Sequence, residues 1–198
     1  MKNTILTFCC ILLQQSLFAE NKDWLIDGSP YKTEVNLSSD KKQIELTNGL
    51  LRRSFSLTPN GATIALDNLM TGQNELRAVR PEAVLVINGK EYPVGGLEGQ
   101  PVHNFLTKDF LSGMQLCDSA FVLAGYTVSE SFPWKPNEAW ISNRYPWPAP
   151  GKRITFTYRA PRKIVDECKG LTIRIVYELY DGAPILSKWI EIENNGQK

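Results

Sequence analysis

The densest run of chemistry-bearing side chains lies between Phe132 and Gly151, which holds five prolines and three tryptophans. Trp134, Trp140, Tyr145 and Trp147 offer flat rings on which the C–H faces of sugars stack, and Asn137, Glu138, Asn143 and Arg144 offer hydrogen bonds to hydroxyls. Prolines at 133, 136, 146, 148 and 150 stiffen the segment, which lowers the entropy lost on binding. The same composition suits two other roles. Large aromatics in a long loop cover the end of a core, and Trp, Tyr and Arg are favoured where domains dock. The segment is therefore a candidate carbohydrate site, a core cover or a docking surface.

His103 is the single histidine of the chain and sits in the polar stretch Gly99-Gln100-Pro101-Val102-His103-Asn104-Phe105. It reads either as a hydrogen-bonding loop residue or as a sugar contact, since loops concentrate function. One imidazole makes a multi-histidine metal site impossible, and no metal or other cofactor is expected. No Gly-x-Ser-x-Gly elbow, phosphate-binding loop or His-Glu-x-x-His helix is present. Gly95-Gly96-Leu97-Glu98-Gly99 fits neither nucleotide fingerprint and reads as a mobile loop. Cys117 and Cys168 lack a recognisable nucleophile context beside His103. The 21 acidic residues offer many carboxylate pairs, but spacing across separate strands carries no distance, so no catalytic residue is assigned.

The chain has 198 residues, with 22 basic against 21 acidic, 42% hydrophobic and 22% charged. That is the composition of a packed core in one domain. A near-zero balance argues against nucleic acid as a partner. Lys2, the apolar run Ile5–Leu13 and the small residue Ala19 have the form of a secretory signal peptide over residues 1–19, with a run too short to span a bilayer. The expectation is a periplasmic or secreted chain, off the membrane once the signal is removed. Removal leaves two cysteines, Cys117 and Cys168, 51 residues apart. In an oxidising compartment they form either a disulfide, worth ~4 kcal/mol in the chain-entropy model, or two separate buried thiols.

The elements that must position these residues read as strands. Asn48-Gly49 and Asn88-Gly89 each sit between alternating runs, a strong two-residue hairpin signal. Counting outward pairs Leu46 with Leu51 and Glu45 with Arg52 in the first hairpin, with Ile44, Leu46, Leu51, Phe55 and Leu57 on one face. In the second it pairs Leu85 with Tyr92 and Ala83 with Val94. Further strands are expected at Ala62–Leu66, Ala120–Val128, Ile154–Tyr158, Leu171–Tyr180 and Ile185–Glu193. Helix is scarce: a short turn at Gln73–Val79 and a weak helical spacing over Phe105–Leu116. Short strands without βαβ rhythm predict an all-β antiparallel sandwich over residues 20–198. Asn194-Asn195-Gly196 is a turn signal with only Gln197 and Lys198 after it. The sandwich is thus expected to be incomplete at its C-terminal end, leaving Ile185–Glu193 incompletely paired.

Leu171–Gly196, with Tyr177-Glu178-Leu179-Tyr180-Asp181-Gly182-Ala183-Pro184 and Glu193-Asn194-Asn195-Gly196, resembles the N-terminal β-supersandwich of bacterial α-galactosidase-like glycoside hydrolases. Asn48-Gly49-Leu50-Leu51-Arg52-Arg53-Ser54-Phe55 is similar to the opening of such domains, and Asp67–Gly72 and Arg80–Ala83 to exported proteins that begin with this module. The resemblance implies a galactose-mutarotase-like sandwich placed before a catalytic (β/α)₈ barrel that carries the carboxylates, so no catalytic residue transfers to this chain. Three functions follow from it. The first is a non-catalytic carbohydrate-associated module supporting a missing catalytic domain. The second is a free-standing secreted carbohydrate-binding protein. The third is a sugar-processing enzyme of mutarotase or lyase type, which a single histidine serves poorly.

Overall fold

The structure, a computed structural model, describes residues 23–131, 150–161 and 166–196. Eleven strands are present among them: β1 Glu34–Leu37, β2 Gln43–Thr47, β3 Leu51–Ser56, β4 Ala62–Asn68, β5 Gln73–Asn74, β6 Ala83–Ile87, β7 Lys90–Val94, β8 Val122–Glu130, β9 Gly151–Arg159, β10 Leu171–Tyr180 and β11 Leu186–Asn194. They form a five-stranded sheet in the order β1-β2-β3-β4-β5, a four-stranded sheet in the order β11-β10-β9-β8, and the hairpin β6-β7. Every paired strand is antiparallel. One short helix, α1 (Lys108–Gly113), is capped by the Thr107 hydroxyl, which accepts the Phe110 N–H at 3.3 Å. The fold is thus an all-β sandwich. Gln73–Asn74 corrects the turn expected at Gln73–Val79, because its two residues pair with Asn68 and Asp67 as an edge strand.

Period-two alternation decides the core. Ile173, Ile175, Tyr177 and Leu179 on β10 face Ile44, Leu46 and Phe55 of the other sheet, with Ile154, Phe156 and Tyr158 of β9 beside them. The hairpin closes one side of this cluster through Tyr92 and Val94. Phe55 sits at the centre, its ring 4.8 Å from Phe156 and 4.9 Å from Tyr177 in tilted contacts. Each such pair contributes ~0.5–1.5 kcal/mol beyond burial. A second, smaller core of Ala62, Ile64, Val79, Leu97 and Met114, with Leu106 and Leu111 against it, packs the α1 segment on the outer side of β4.

The hairpins test the turn rules residue by residue. Around Asn88-Gly89 the register is the expected one, Leu85 with Tyr92 and Ala83 with Val94. Both turn residues have positive φ, 51° and 78°, as a type I′ turn requires. The first hairpin turns one residue later than expected: Leu46 faces Arg53 and Ile44 faces Phe55. Asn48 ends the ladder instead of occupying the turn. Its Oδ1 accepts the N–H groups of Leu50 and Leu51, each at 3.0 Å. Its Nδ2 donates to the carbonyls of Tyr180 and Ala183 at 2.8 and 2.7 Å. The shift is by two residues in the pairing, so the inward face keeps its members, and it also carries Arg53.

Between β3 and β4 the register slips at Ser54/Phe55: Ser54 faces Ala65 while Phe55 faces Thr63, leaving Ile64 as the extra residue. The bulge re-aims the strand. Ile64 joins the smaller core, and Thr63 lies opposite the inward-facing Phe55.

Candidate functional site

Two loops at one end of the sandwich, 77–81 before β6 and 95–104 after β7, enclose a groove of about 610 Å³. Its walls are built, not loose. Gly95 and Gly96 are buried, so the mobile glycine loop expected from sequence is instead packed backbone. Both have positive φ, 62° and 83°. Their N–H groups donate to the carbonyls of Phe121 at 3.1 Å and Gly61 at 2.8 Å. A Cβ on Gly96 would stand 2.7 Å from Pro81 Cα, so glycine is what allows the two loops to touch. Gln100 ties them further: its Oε1 accepts the Val79 N–H at 3.1 Å, and its Nε2 donates to the carbonyls of Arg77 and Asn104 at 3.1 and 2.9 Å. Val79 and Leu97 anchor the loops from beneath in the smaller core.

His103 lines this groove. It is exposed and stands in the left-handed region, φ 63°, as the third residue of a turn in which the Asn104 N–H approaches the Pro101 carbonyl at 3.4 Å. Arg77 and Arg80 line the same groove with Glu98. Among the described residues neither arginine has a carboxylate within ion-pair distance. The Arg77 guanidinium lies 5.1 Å from the centre of the Phe105 ring, which is 68% exposed. The groove is therefore lined by planar donors, an imidazole and a carboxylate, and the exposed Phe105 ring follows its lining residue Asn104, packed against Arg77. Cys117 also lines it, but its sulfur is 3.2 Å from Ser119 Oγ and makes no hydrogen bond to His103. Among the described residues the groove thus brings no nucleophile into hydrogen-bond contact with a base.

Trp134, Trp140, Arg144, Tyr145 and Trp147 lie outside the described residues, as does the segment of the expected signal peptide. Cys117 and Cys168 are both free thiols rather than a disulfide, Cys117 partly exposed and Cys168 fully buried. Burial, first, and then Glu167 push the Cys168 thiol up, which makes it inert.

Directly behind the groove wall lies a charged cluster that sequence reasoning did not single out. Glu82, adjacent to Pro81, has a side chain only 3% exposed. Its Oε1 accepts from the Thr63 N–H at 2.6 Å and the Thr63 hydroxyl at 2.8 Å. Its Oε2 accepts the Tyr177 hydroxyl and Lys188 Nζ, the latter at 3.1 Å, with Arg53 Nη2 4.0 Å away. Lys188 also reaches the Glu82 carbonyl at 2.7 Å. Arg53 donates to Thr63 Oγ1 at 3.1 and 2.8 Å and to the Tyr177 hydroxyl at 3.2 Å, and its guanidinium lies 4.5 Å from the Tyr177 ring centre. Burial pushes the Glu82 carboxyl up, but Lys188, the Tyr177 hydroxyl, Arg53 and Thr63 outweigh it and hold it below the ordinary range. Burial and Glu82 push the Tyr177 and Tyr158 hydroxyls well up. The signal for this cluster was present: Arg53 shares period-two parity with Leu51 and Phe55, so alternation alone sends a cation inward.

A second ion pair lies on the outer face of the four-stranded sheet. Arg153 grips Glu178 Oε1 through Nε at 2.8 Å and Nη2 at 2.7 Å. The Tyr180 hydroxyl donates to the other oxygen at 2.9 Å, and the guanidinium lies 5.0 Å from the Trp189 ring. Glu178 is fully buried there.

Among the described residues no group of metal-ligating side chains is assembled, and no helix is long and apolar enough to cross a membrane. Compared with protein-family models, curated proteins and solved structures, the chain matches none.

Proposed function

We propose that the chain is an exported, non-catalytic carbohydrate-associated β-sandwich module that takes saccharide in the groove between loops 77–81 and 95–104, with hydrolysis left to a separate catalytic domain. The observation that carries this reading is the groove's lining. Arg77, Arg80, Glu98 and His103 converge on one cleft, with the exposed Phe105 ring packed against Arg77. Planar polar groups bond vicinal hydroxyls two at a time, and an aromatic face receives the C–H side of a pyranose. A cleft of this size with a few placed polar groups is the usual form of a small-ligand site. The glycine contacts and the Gln100 clamp fix the walls before ligand arrives, which limits the ordering cost of binding. The resemblance of Leu171–Gly196 to the supersandwich of glycoside hydrolases points to the same substrate class.

The test is isothermal calorimetry of the purified chain with galactosides and plant-type oligosaccharides. Binding is expected with at least one of them, weakened about tenfold, or ~1.4 kcal/mol, by Arg80→Ala and by His103→Ala. Absence of heat with every sugar, on protein shown to be folded, overturns the reading.

A further inference from the structure

The chain holds four Asn-Gly pairs, at 48–49, 60–61, 88–89 and 195–196. Asparagine is a thermolabile residue, most of all before glycine, whose missing Cβ leaves its backbone nitrogen open to close approach. That nitrogen gives up its proton to hydroxide and attacks the side-chain amide carbon of the asparagine. A succinimide ring closes and ammonia leaves. Water then opens the ring at either carbonyl. Opening at one gives aspartate; opening at the other gives isoaspartate, in which the main chain runs through the side-chain carbons. The net change exchanges an amide and a water for a carboxylate and an ammonium ion, and nothing is oxidised or reduced.

By sequence the four pairs are alike, but the fold separates them. Asn48 is 1% exposed, its amide is held by four hydrogen bonds, and the Gly49 N–H donates to Thr47 Oγ1 at 3.3 Å. Asn60 is fully buried. Its Oδ1 accepts the N–H groups of Gly61 and Leu123 at 2.9 and 2.8 Å, and its Nδ2 donates to the Phe121 carbonyl at 3.2 Å. Asn195 is exposed, but its Nδ2 donates to Glu193 Oε1 at 2.8 Å, and the Gly196 N–H donates to Asn194 Oδ1 at 3.0 Å. Asn88 differs from all three. It and Gly89 are exposed at the tip of the β6–β7 hairpin. Among the described residues neither the Asn88 amide nor the Gly89 N–H makes a hydrogen bond. Space around Gly89 is open, with nothing within 4 Å of where its Cβ would stand.

Ring closure requires the Asn88 backbone to rotate out of the turn, so the tip must open. That opening is local. β6 and β7 form a sheet of two strands, and the backbone bonds that tie the hairpin to Phe121, at Pro93 and Gly95, lie at its opposite end. Val84 and Val86 on the outer side of β6 are 51% and 67% exposed. A segment with few buried contacts opens at small cost.

We propose that Asn88 is a site of spontaneous deamidation, converting to aspartate and isoaspartate in the folded chain while the other three pairs are protected. Each product adds a negative charge at the hairpin tip. Isoaspartate also lengthens by one main-chain atom the turn that joins Ile87 to Lys90, and so loosens the last rung of the hairpin.

The test is peptide mapping by mass spectrometry of the purified chain in warm, mildly alkaline buffer, with and without urea, sampled until the urea sample has converted. In the folded chain Asn88 should convert at least about tenfold faster than Asn48, Asn60 and Asn195, whose amide bonds must break first. In urea the four rates should converge, which shows that the fold sets the ranking. Isoelectric focusing should show an acidic species that accumulates in wild type and is missing from Asn88→Gln, whose longer side chain closes its ring reluctantly. If glutamine at a positive φ loosens the turn, the wild-type peptide map decides alone. An Asn88 that stays intact while the urea sample converts, or another Asn-Gly pair that keeps pace with it in the folded chain, overturns the proposal.

Discussion

Replacing Glu82 by glutamine keeps the shape of the side chain and removes the charge on which β3, β4, β10 and β11 converge. The Oε1 bonds from Thr63, at 2.6 and 2.8 Å, survive the change. At the other terminal atom an NH₂ replaces an oxygen that accepted from Tyr177 and from Lys188. Removing one partner of a buried ion pair costs ~3–5 kcal/mol. Two features reduce that here. The Lys188 side chain is 36% exposed and rehydrates, and the Tyr177 hydroxyl rotates to accept from the new amide. A loss of ~2–3 kcal/mol is expected, read as a lower urea midpoint at unchanged slope. A loss below ~1 kcal/mol, the worth of one ordinary hydrogen bond, refutes the view that the Glu82 charge holds the sheets together.

The same variant carries a pH signature. Glu82 titrates in the folded chain below its ordinary value of 4.5. A depressed folded pKa contributes stability that is complete above the unfolded pKa and disappears as pH falls through the folded one. The gap in stability between wild type and Glu82→Gln should therefore be constant near neutrality and shrink below about pH 4.5. Asp40, Asp181 and Glu193 are also held low, and their contributions appear in both proteins, so the difference isolates Glu82. A gap that widens on acidification contradicts the assignment.

Three further outcomes follow from other sites. Asn48→Asp turns a buried donor into an oxygen facing the carbonyls of Tyr180 and Ala183; it should cost at least ~3 kcal/mol in urea unfolding, against ~1–3 for Asn48→Ser, and equal losses would contradict the clamp. Gly96→Ala brings a methyl to 2.7 Å from Pro81 Cα at a φ of 83°; a drop of ~2 kcal/mol or more and altered proteolysis of loop 95–104 are expected, and a neutral result would mean that Gly96 and Pro81 do not pack together. Native Cys117 should react with a thiol reagent well before the buried Cys168, and reductant should leave the melting transition unchanged; a reductant-sensitive transition would reveal a bridge.

What was legible in the sequence was local. Asn88-Gly89 states its turn and its register because both residues take the positive φ that the turn demands and nothing distant competes. Asn48-Gly49 has the same letters and a different answer, because the Asn48 amide is held by carbonyls more than a hundred residues away. No window around position 48 contains that information. The groove is illegible for the same reason. His103 reads as a loop residue, but the loop opposite it begins at Arg77, and tertiary contacts, the Gln100 bonds to Val79 and Arg77 and the pairing of Val94 with Phe121, bring the two walls together.

Arg53 marks the boundary between the two kinds of knowledge. Its parity puts it in the core, and a lone cation there is prohibitively costly, so the sequence demands a buried anion without saying which. Three features settle on Glu82 together. The bulge at Ile64 aligns Thr63 with the inward face, the Tyr177 hydroxyl projects from β10, and Glu82 precedes β6 where the Glu82 N–H bonds the Val94 carbonyl at 2.8 Å. The next residue toward the surface, Pro81, is groove wall. The ion cluster that locks the sheets therefore also fixes where the binding loops begin. In this sandwich, core stability and site geometry rest on the same carboxylate.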